Sequence, residues 1–225
     1  MFGIIVLFVI IGFIVQQRLK SKFKKYSNEA LSNGMSGAEI AQKMLEDHFI
    51  YDVRIESVAG KLTDHYNPAN KTVNLSPEVY SGRSVAAAAV AAHEVGHAVQ
   101  HAKGYKWLEM RSQLVPMVQF SGKIMNIVIW SMILGVGFLG IFGYNTALWI
   151  LIAAQLAITA FTLVTLPVEY DASNRALTWL TDKGMITAQE HEKANDALSW
   201  AARTYLVAAL ASMAQLAYYF SLLRD

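Results

Sequence analysis

The chain has 225 residues, of which 54% are apolar and only 16% charged, well under the roughly 25% charged of an ordinary soluble domain, and this balance reads as a membrane protein. A formal net charge of +2, with no basic stripe interleaved with aromatics, excludes nucleic acid as a partner. The absence of cysteine excludes a disulfide framework, a thiolate metal site and a cysteine nucleophile, so any metal must be held by nitrogen and oxygen.

Residues Met1 to Val15 carry no charge and are followed by Gln16, Gln17 and a basic run, Arg18, Lys20, Lys22, Lys24 and Lys25. A signal peptide carries its positive charge before the apolar stretch, so this order predicts a membrane anchor over residues 1–17. Ser36-Gly37-Ala38-Glu39 then forms a capping box, with Ile40, Ala41, Met44 and Leu45 following at helical spacing. Val53 and Ile55 alternate with Arg54 and Glu56, which predicts a strand over 52–58. A second strand, Lys71 to Ser76, follows the turn signal Asn67-Pro68-Ala69-Asn70. The edge of that second strand is expected to be exposed and able to take an extended peptide by strand addition. Ser84 caps an alanine-rich helix predicted to run through His101 and to stop at Gly104.

That helix contains AAHEVGHAVQH, Ala91 to His101. Residues four apart are offset by about 40° around a helix and about 6 Å along it, so His93 and His97 project from one face and can share an ion, while Glu94 is rotated by about 100°. Two neutral imidazoles suit zinc, and the glutamate is placed to act on water as a general base. A third protein ligand is still required, with one position left open. His101 is unsuited to that place, because on a continuous helix it lies about 12 Å from His93, and Gln100 stands where a related motif with a third histidine has a helix-breaking glycine. His101 is read as a surface residue or one that supports the site from behind. A carboxylate ligand must come from elsewhere. A di-iron bundle needs two Glu-x-x-His copies, and Glu94 to His97 is the one copy present.

No charged residue occurs between Lys123 and Glu169. Ile124 to Tyr144 and Thr146 to Val168 are each near the roughly 20 residues of a membrane span, with Asn145 as the link, and Thr204 to Leu223 makes a fourth. Directly after the third span come Glu169 and Asp171, which read either as ligand candidates or as markers of a membrane boundary. The expected fold is mainly α: a polytopic membrane protein with about four transmembrane helices and a small α+β zincin-like unit. The expected segments are an anchor (1–17), the zincin-like unit (18–123), a transmembrane hairpin (124–168), a helical segment (169–203) and a last transmembrane helix (204–225). Lysine and arginine fall almost entirely between Arg18 and Lys123 or between Arg175 and Arg203, which places both regions in the cytoplasm. The expected location is the cell membrane, crossed several times, with the site facing the cytoplasm.

The blocks GKLTDHYNP, KTVNLSPEVYSGRS, AAHEVGHAVQHAKGY and TLPVEYDASNRAL, with an apolar hairpin before the last, resemble the YugP family of membrane zinc metallopeptidases. More distantly the pattern is similar to HtpX-like and CAAX prenyl proteases, which are gluzincins. The resemblance implies one zinc ion per chain with His93, His97 and Glu169 as ligands and Glu94 as catalytic base. The distant relatives carry an aspartate four residues after their glutamate, where this chain has Ser173, so Asp171 and Ser173 are both candidates for orienting a ligand histidine. His65, Tyr66, Arg175 and Tyr205 are candidates for stabilising the oxyanion, each with a structural role as the alternative. The implied activity is peptide-bond hydrolysis at the cytoplasmic membrane interface, with a peptide or membrane-protein substrate, the lipid bilayer as surroundings and membrane-protein quality control as a setting. The alternative is a non-catalytic scaffold or transporter-associated protein with a structural metal.

Overall fold

The computed structural model describes residues 2–134 and 138–223. Its elements in chain order are α1 (Phe2–Ser27), α2 (Gly37–Asp47), β1 (Arg54–Ser57), β2 (His65–Asn67), β3 (Thr72–Leu75), α3 (Pro77–Tyr80), α4 (Val85–Ala102), α5 (Lys106–Leu134), α6 (Phe138–Asp182) and α7 (Ala188–Ser221). The protein is thus mainly helical with one small mixed sheet. By contacts it divides into two units, one of Met1–Phe13, Glu109–Leu166 and Thr204–Asp225, the other of Ile14–Leu108 and Pro167–Arg203.

The second of these units holds the sheet. The capping box that starts α2 is formed: Ser36 N–H donates to Glu39 Oε2 at 2.7 Å and Glu39 N–H donates to Ser36 Oγ at 3.3 Å. The apolar stripe of α2, Ile40, Ala41, Met44 and Leu45, is buried. The sheet order is β1-β3-β2, with β1 parallel and β2 antiparallel to β3. All four residues of β3 are buried, as befits a middle strand. Both of its edges are therefore occupied, and the free edge expected on Lys71 to Ser76 does not exist; the outer edges of the sheet belong to β1 and β2. Three-residue β2, lying just before the turn, is too short to show a period in the sequence.

The central element of this unit is α4. Ser84 Oγ accepts the Ala87 N–H at 3.2 Å, and Ala86 to Ala89, Ala91, Ala92 and Ala98 are buried along with Val85, Val95 and Val99. A helix apolar on nearly every side is one enclosed on every side. Its small side chains let β3, α2 and α3 approach closely, and Ala176 and Leu180 of α6 and Leu198 of α7 join the same core. The helix ends as expected, with Gly104 in the left-handed region at φ 61°.

In the other unit, Val128 of α5, Ala147, Leu148, Leu151 and Ile152 of α6 and Tyr219 of α7 form an apolar cluster. Polar side chains of α6 bond to Ser212 of α7: Gln155 Nε2 donates to its backbone O at 3.0 Å, Thr159 Oγ1 donates to the same oxygen at 3.3 Å, and the Thr162 and Ser212 hydroxyls lie 2.8 Å apart. Pairing of this kind is what buried polar groups in apolar helices require.

Among the described residues two helices, not four, are long and apolar enough to cross a membrane, Gly3–Ser27 and Gly143–Asp182. The expected second span, 124–144, runs across 135–137, which lie outside the described residues. The expected fourth, Thr204 to Leu223, falls on the last part of α7 and just past its end at Ser221, and its apolar run is diluted by Ser212, Gln215, Tyr218 and Tyr219. The link expected at Asn145 falls instead at Gly143, where α6 breaks at φ 73° and ψ 161°, a backbone state that only glycine adopts without a Cβ clash. Nor does the third span end at Val168: α6 continues through Pro167 to Asp182, so Glu169 stands inside a helix.

Candidate metal centre

The centre is built where α4 meets the last part of α6. A Cβ placed on Gly96 would lie 2.7 Å from Ala172 O and 3.2 Å from its C and Cα atoms, so glycine at this position permits the two backbones to touch. Gly96→Ala should accordingly lower stability, even though alanine favours a helix over glycine by up to about 1 kcal/mol, because overpacking against an immobile backbone costs about 1–3 kcal/mol. A lower urea midpoint, together with weaker zinc retention, is the expected result; a midpoint raised above wild type would contradict the close crossing.

The crossing sets the Glu169 carboxylate over the histidine face of α4. Its Oε2 lies 3.4 Å from His93 Nε2 and 3.7 Å from His97 Nε2. The two rings are edge to face, with centroids 4.8 Å apart at 85°. Their side chains are 12% and 9% exposed and that of Glu169 3%. One potential donor atom from each residue lies within 4.8 Å of the others, and among the described residues this is the one group of three that could hold a metal ion. Two donors at tetrahedral angles and about 2.0–2.1 Å from zinc stand about 3.3–3.4 Å apart. The nitrogen, nitrogen, oxygen set and its spacing fit a zinc position with a fourth place open.

Further side chains steady the three. His93 Nδ1 is 3.1 Å from Ser173 Oγ, and His97 Nδ1 is 3.0 Å from Gln100 Oε1. Gln100 Nε2 donates to Val168 O at 2.8 Å and to Asp171 Oδ2 at 2.7 Å. Asp171 is held by Arg175, whose Nε donates to Oδ2 at 2.5 Å, and the guanidinium stands 5.7 Å from the centre of the Tyr105 ring. Of the two candidates for orienting a ligand histidine, Ser173 therefore touches His93 and Asp171 reaches His97 through Gln100. In the sequence Gln100 stands out only as the residue in place of a helix-breaking glycine. Its signal was present: a polar residue three positions after His97, on the same face of an otherwise alanine-rich helix.

Glu94 is buried, and its Oε2 accepts the Tyr66 backbone N–H at 3.0 Å. Burial lifts its carboxyl above the ordinary range against the pull of His93 and His97. At His97 burial works to lower the imidazole, but Glu169 outweighs it and the ring sits above its ordinary value.

The remaining candidates are engaged elsewhere. Exposed His65 bonds Thr63 O through Nδ1 at 2.8 Å, a turn contact. The Tyr66 hydroxyl lies 2.7 Å from His101 Nδ1, which occupies that exposed imidazole at the outer end of α4. Arg175 serves Asp171. Tyr205 lies on α7 in the other unit.

The family model described as "Putative neutral zinc metallopeptidase" matches residues 1–224. The chain is 42% identical over 211 residues, 92% of its own length and 88% of the relative's, to the Bacillus subtilis (strain 168) protein named "Putative membrane protease YugP". No solved structure matches.

Proposed function

The chain belongs to the neutral zinc metallopeptidase family, and from that premise we propose that it is a membrane-anchored zinc endopeptidase whose centre is His93, His97 and Glu169, with Glu94 as general base. The observation that carries the reading is the pair of 3.4 and 3.7 Å separations between Glu169 Oε2 and the two Nε2 atoms, on a helix that also bears a buried glutamate. When bound, one zinc ion supplies an acidified water and a Lewis acid for the scissile carbonyl. Glu94 takes the water's proton at its carboxylate and delivers it to the leaving amine. The Tyr66 N–H, fixed on β2, holds that carboxylate in one orientation, and Ser173 and Gln100 hold the two imidazoles.

The expected experiment uses the full chain in nanodiscs. Casein or a membrane-derived peptide is cleaved, a chelator abolishes cleavage without loss of helical content, and stoichiometric zinc restores it. Loss of fold on chelation, with no cleavage at any stage, would support the structural-metal alternative.

The same reading places the protein in the cell membrane, crossed several times, with the centre on the cytoplasmic side and membrane-protein quality control as the setting. Support comes from the distribution of lysine and arginine, the two long apolar helices and the name of the Bacillus relative. Because the chain contains no cysteine, single cysteines at exposed Asn70 and Asn145 provide a clean test. An impermeant thiol reagent should label Asn145→Cys in intact cells and Asn70→Cys only after lysis. Labelling of Asn70→Cys in intact cells contradicts the orientation.

A further inference from the structure

The hydrogen-bond inventory around Gln100 determines where the proton sits on His97. Gln100 is completely buried at 0% exposure, and its amide nitrogen faces Val168 O at 2.8 Å and Asp171 Oδ2 at 2.7 Å. A backbone carbonyl can only accept, and so can a carboxylate paired with Arg175. Both partners therefore require the NH2 side of the amide, and the reverse orientation would set an amide oxygen against two other oxygens in a buried place. The amide oxygen is left facing His97 Nδ1 at 3.0 Å. Since that oxygen has no proton to give, Nδ1 must donate.

We infer that Gln100 is the positioning residue that keeps the His97 proton on Nδ1 whenever the ring is neutral, so that Nε2 is the nitrogen that offers its lone pair toward Glu169 and the metal position. Asp171 and Val168 O lock the amide, and Arg175 locks Asp171, so a chain of groups spanning α4 and α6 sets one proton. Ser173 cannot do the same for His93, because a hydroxyl rotates and can donate or accept. The consequence for metal binding rests on the reading of His97 as a ligand; the position of the proton does not.

The test is long-range proton–nitrogen NMR on the metal-free, histidine-labelled full chain in nanodiscs, which reads the tautomer directly, alongside competition measurements of zinc affinity. At a pH high enough to make the ring neutral, wild type should show the single His97 proton on Nδ1. Gln100→Met keeps the length of the side chain but none of its three hydrogen bonds; it should give mixed tautomers at His97 and raise the zinc dissociation constant about 10 to 100-fold, the range typical of a lost partner behind a ligand. A neutral ring with its proton on Nε2 in wild type would overturn the inference on its own, whether or not any variant folds. So would a Gln100→Met protein whose tautomer is unchanged and whose zinc affinity stays within about threefold, well short of that range. His97→Ala separates the two levels: undiminished zinc binding there removes His97 from the ligand set, while the NMR result still decides for or against Gln100.

Discussion

Glu94→Gln is expected to keep one zinc per chain and to lose peptide hydrolysis by about 10²–10⁴-fold, the range over which a positioned general base contributes. The amide preserves the shape of the side chain and keeps an oxygen for the Tyr66 N–H that Glu94 Oε2 now accepts at 3.0 Å, so β2 should stay in place. What the amide cannot do is take a proton from water. The substitution also removes a carboxylate from a buried position, and burial already works against its charge, so the variant should be no less stable than wild type. Metal analysis beside a casein or membrane-peptide assay decides the matter. Substantial hydrolysis by a zinc-loaded Glu94→Gln protein would sink the assignment of the base.

The second large effect is expected at the third ligand. Glu169→Ala leaves His93 and His97 without the oxygen that stands 3.4 and 3.7 Å from their Nε2 atoms, and two imidazoles alone make an incomplete zinc set. The variant should purify nearly free of zinc and inactive. Asp171→Ala should behave differently, because Asp171 faces Gln100 and Arg175 and reaches His97 only through the amide. Its zinc affinity should fall by about 10 to 100-fold and its metal content should remain measurable. Circular dichroism on both variants guards against loss of fold. If Asp171→Ala loses its metal while Glu169→Ala keeps it, the ligand set is wrong.

The local features of the site are legible in the sequence, and its supports much less so. The helical course of α4, its Ser84 cap and its stop at Gly104 follow from short-range signals, and the common face of His93 and His97 follows from helical period alone. The capping box of α2 is equally local. Asp171 and Ser173 were recognisable as competitors for one role, but that they serve different histidines depends on how α6 is rotated against α4, and no stretch of sequence carries that rotation. The spans show the opposite failure, two standing among the described residues and the expected second one crossing 135–137, outside them. Apolar length is visible in the sequence, yet Ser212 and Gln215 weaken the last run, and Thr146 to Val168 belongs to a longer helix that continues past Pro167.

What the sequence determined by itself is the chemistry available: no thiolate, two imidazoles and a carboxylate at fixed offsets on one helix, and a carboxylate pair just beyond a long apolar run. These are matters of residue type and of spacing within a single element, and backbone geometry translates them directly into directions. Tertiary structure alone decided which groups meet. Tyr66 and Glu94 are 28 positions apart and Gln100 and Asp171 are 71 apart, and these contacts exist because Gly96 lets α4 and α6 touch at Ala172 and because β3, not β2, takes the middle of the sheet. Contacts of that kind depend on the packing of whole elements against one another, where a difference of one Cβ atom decides whether two backbones touch, and local propensity does not encode it.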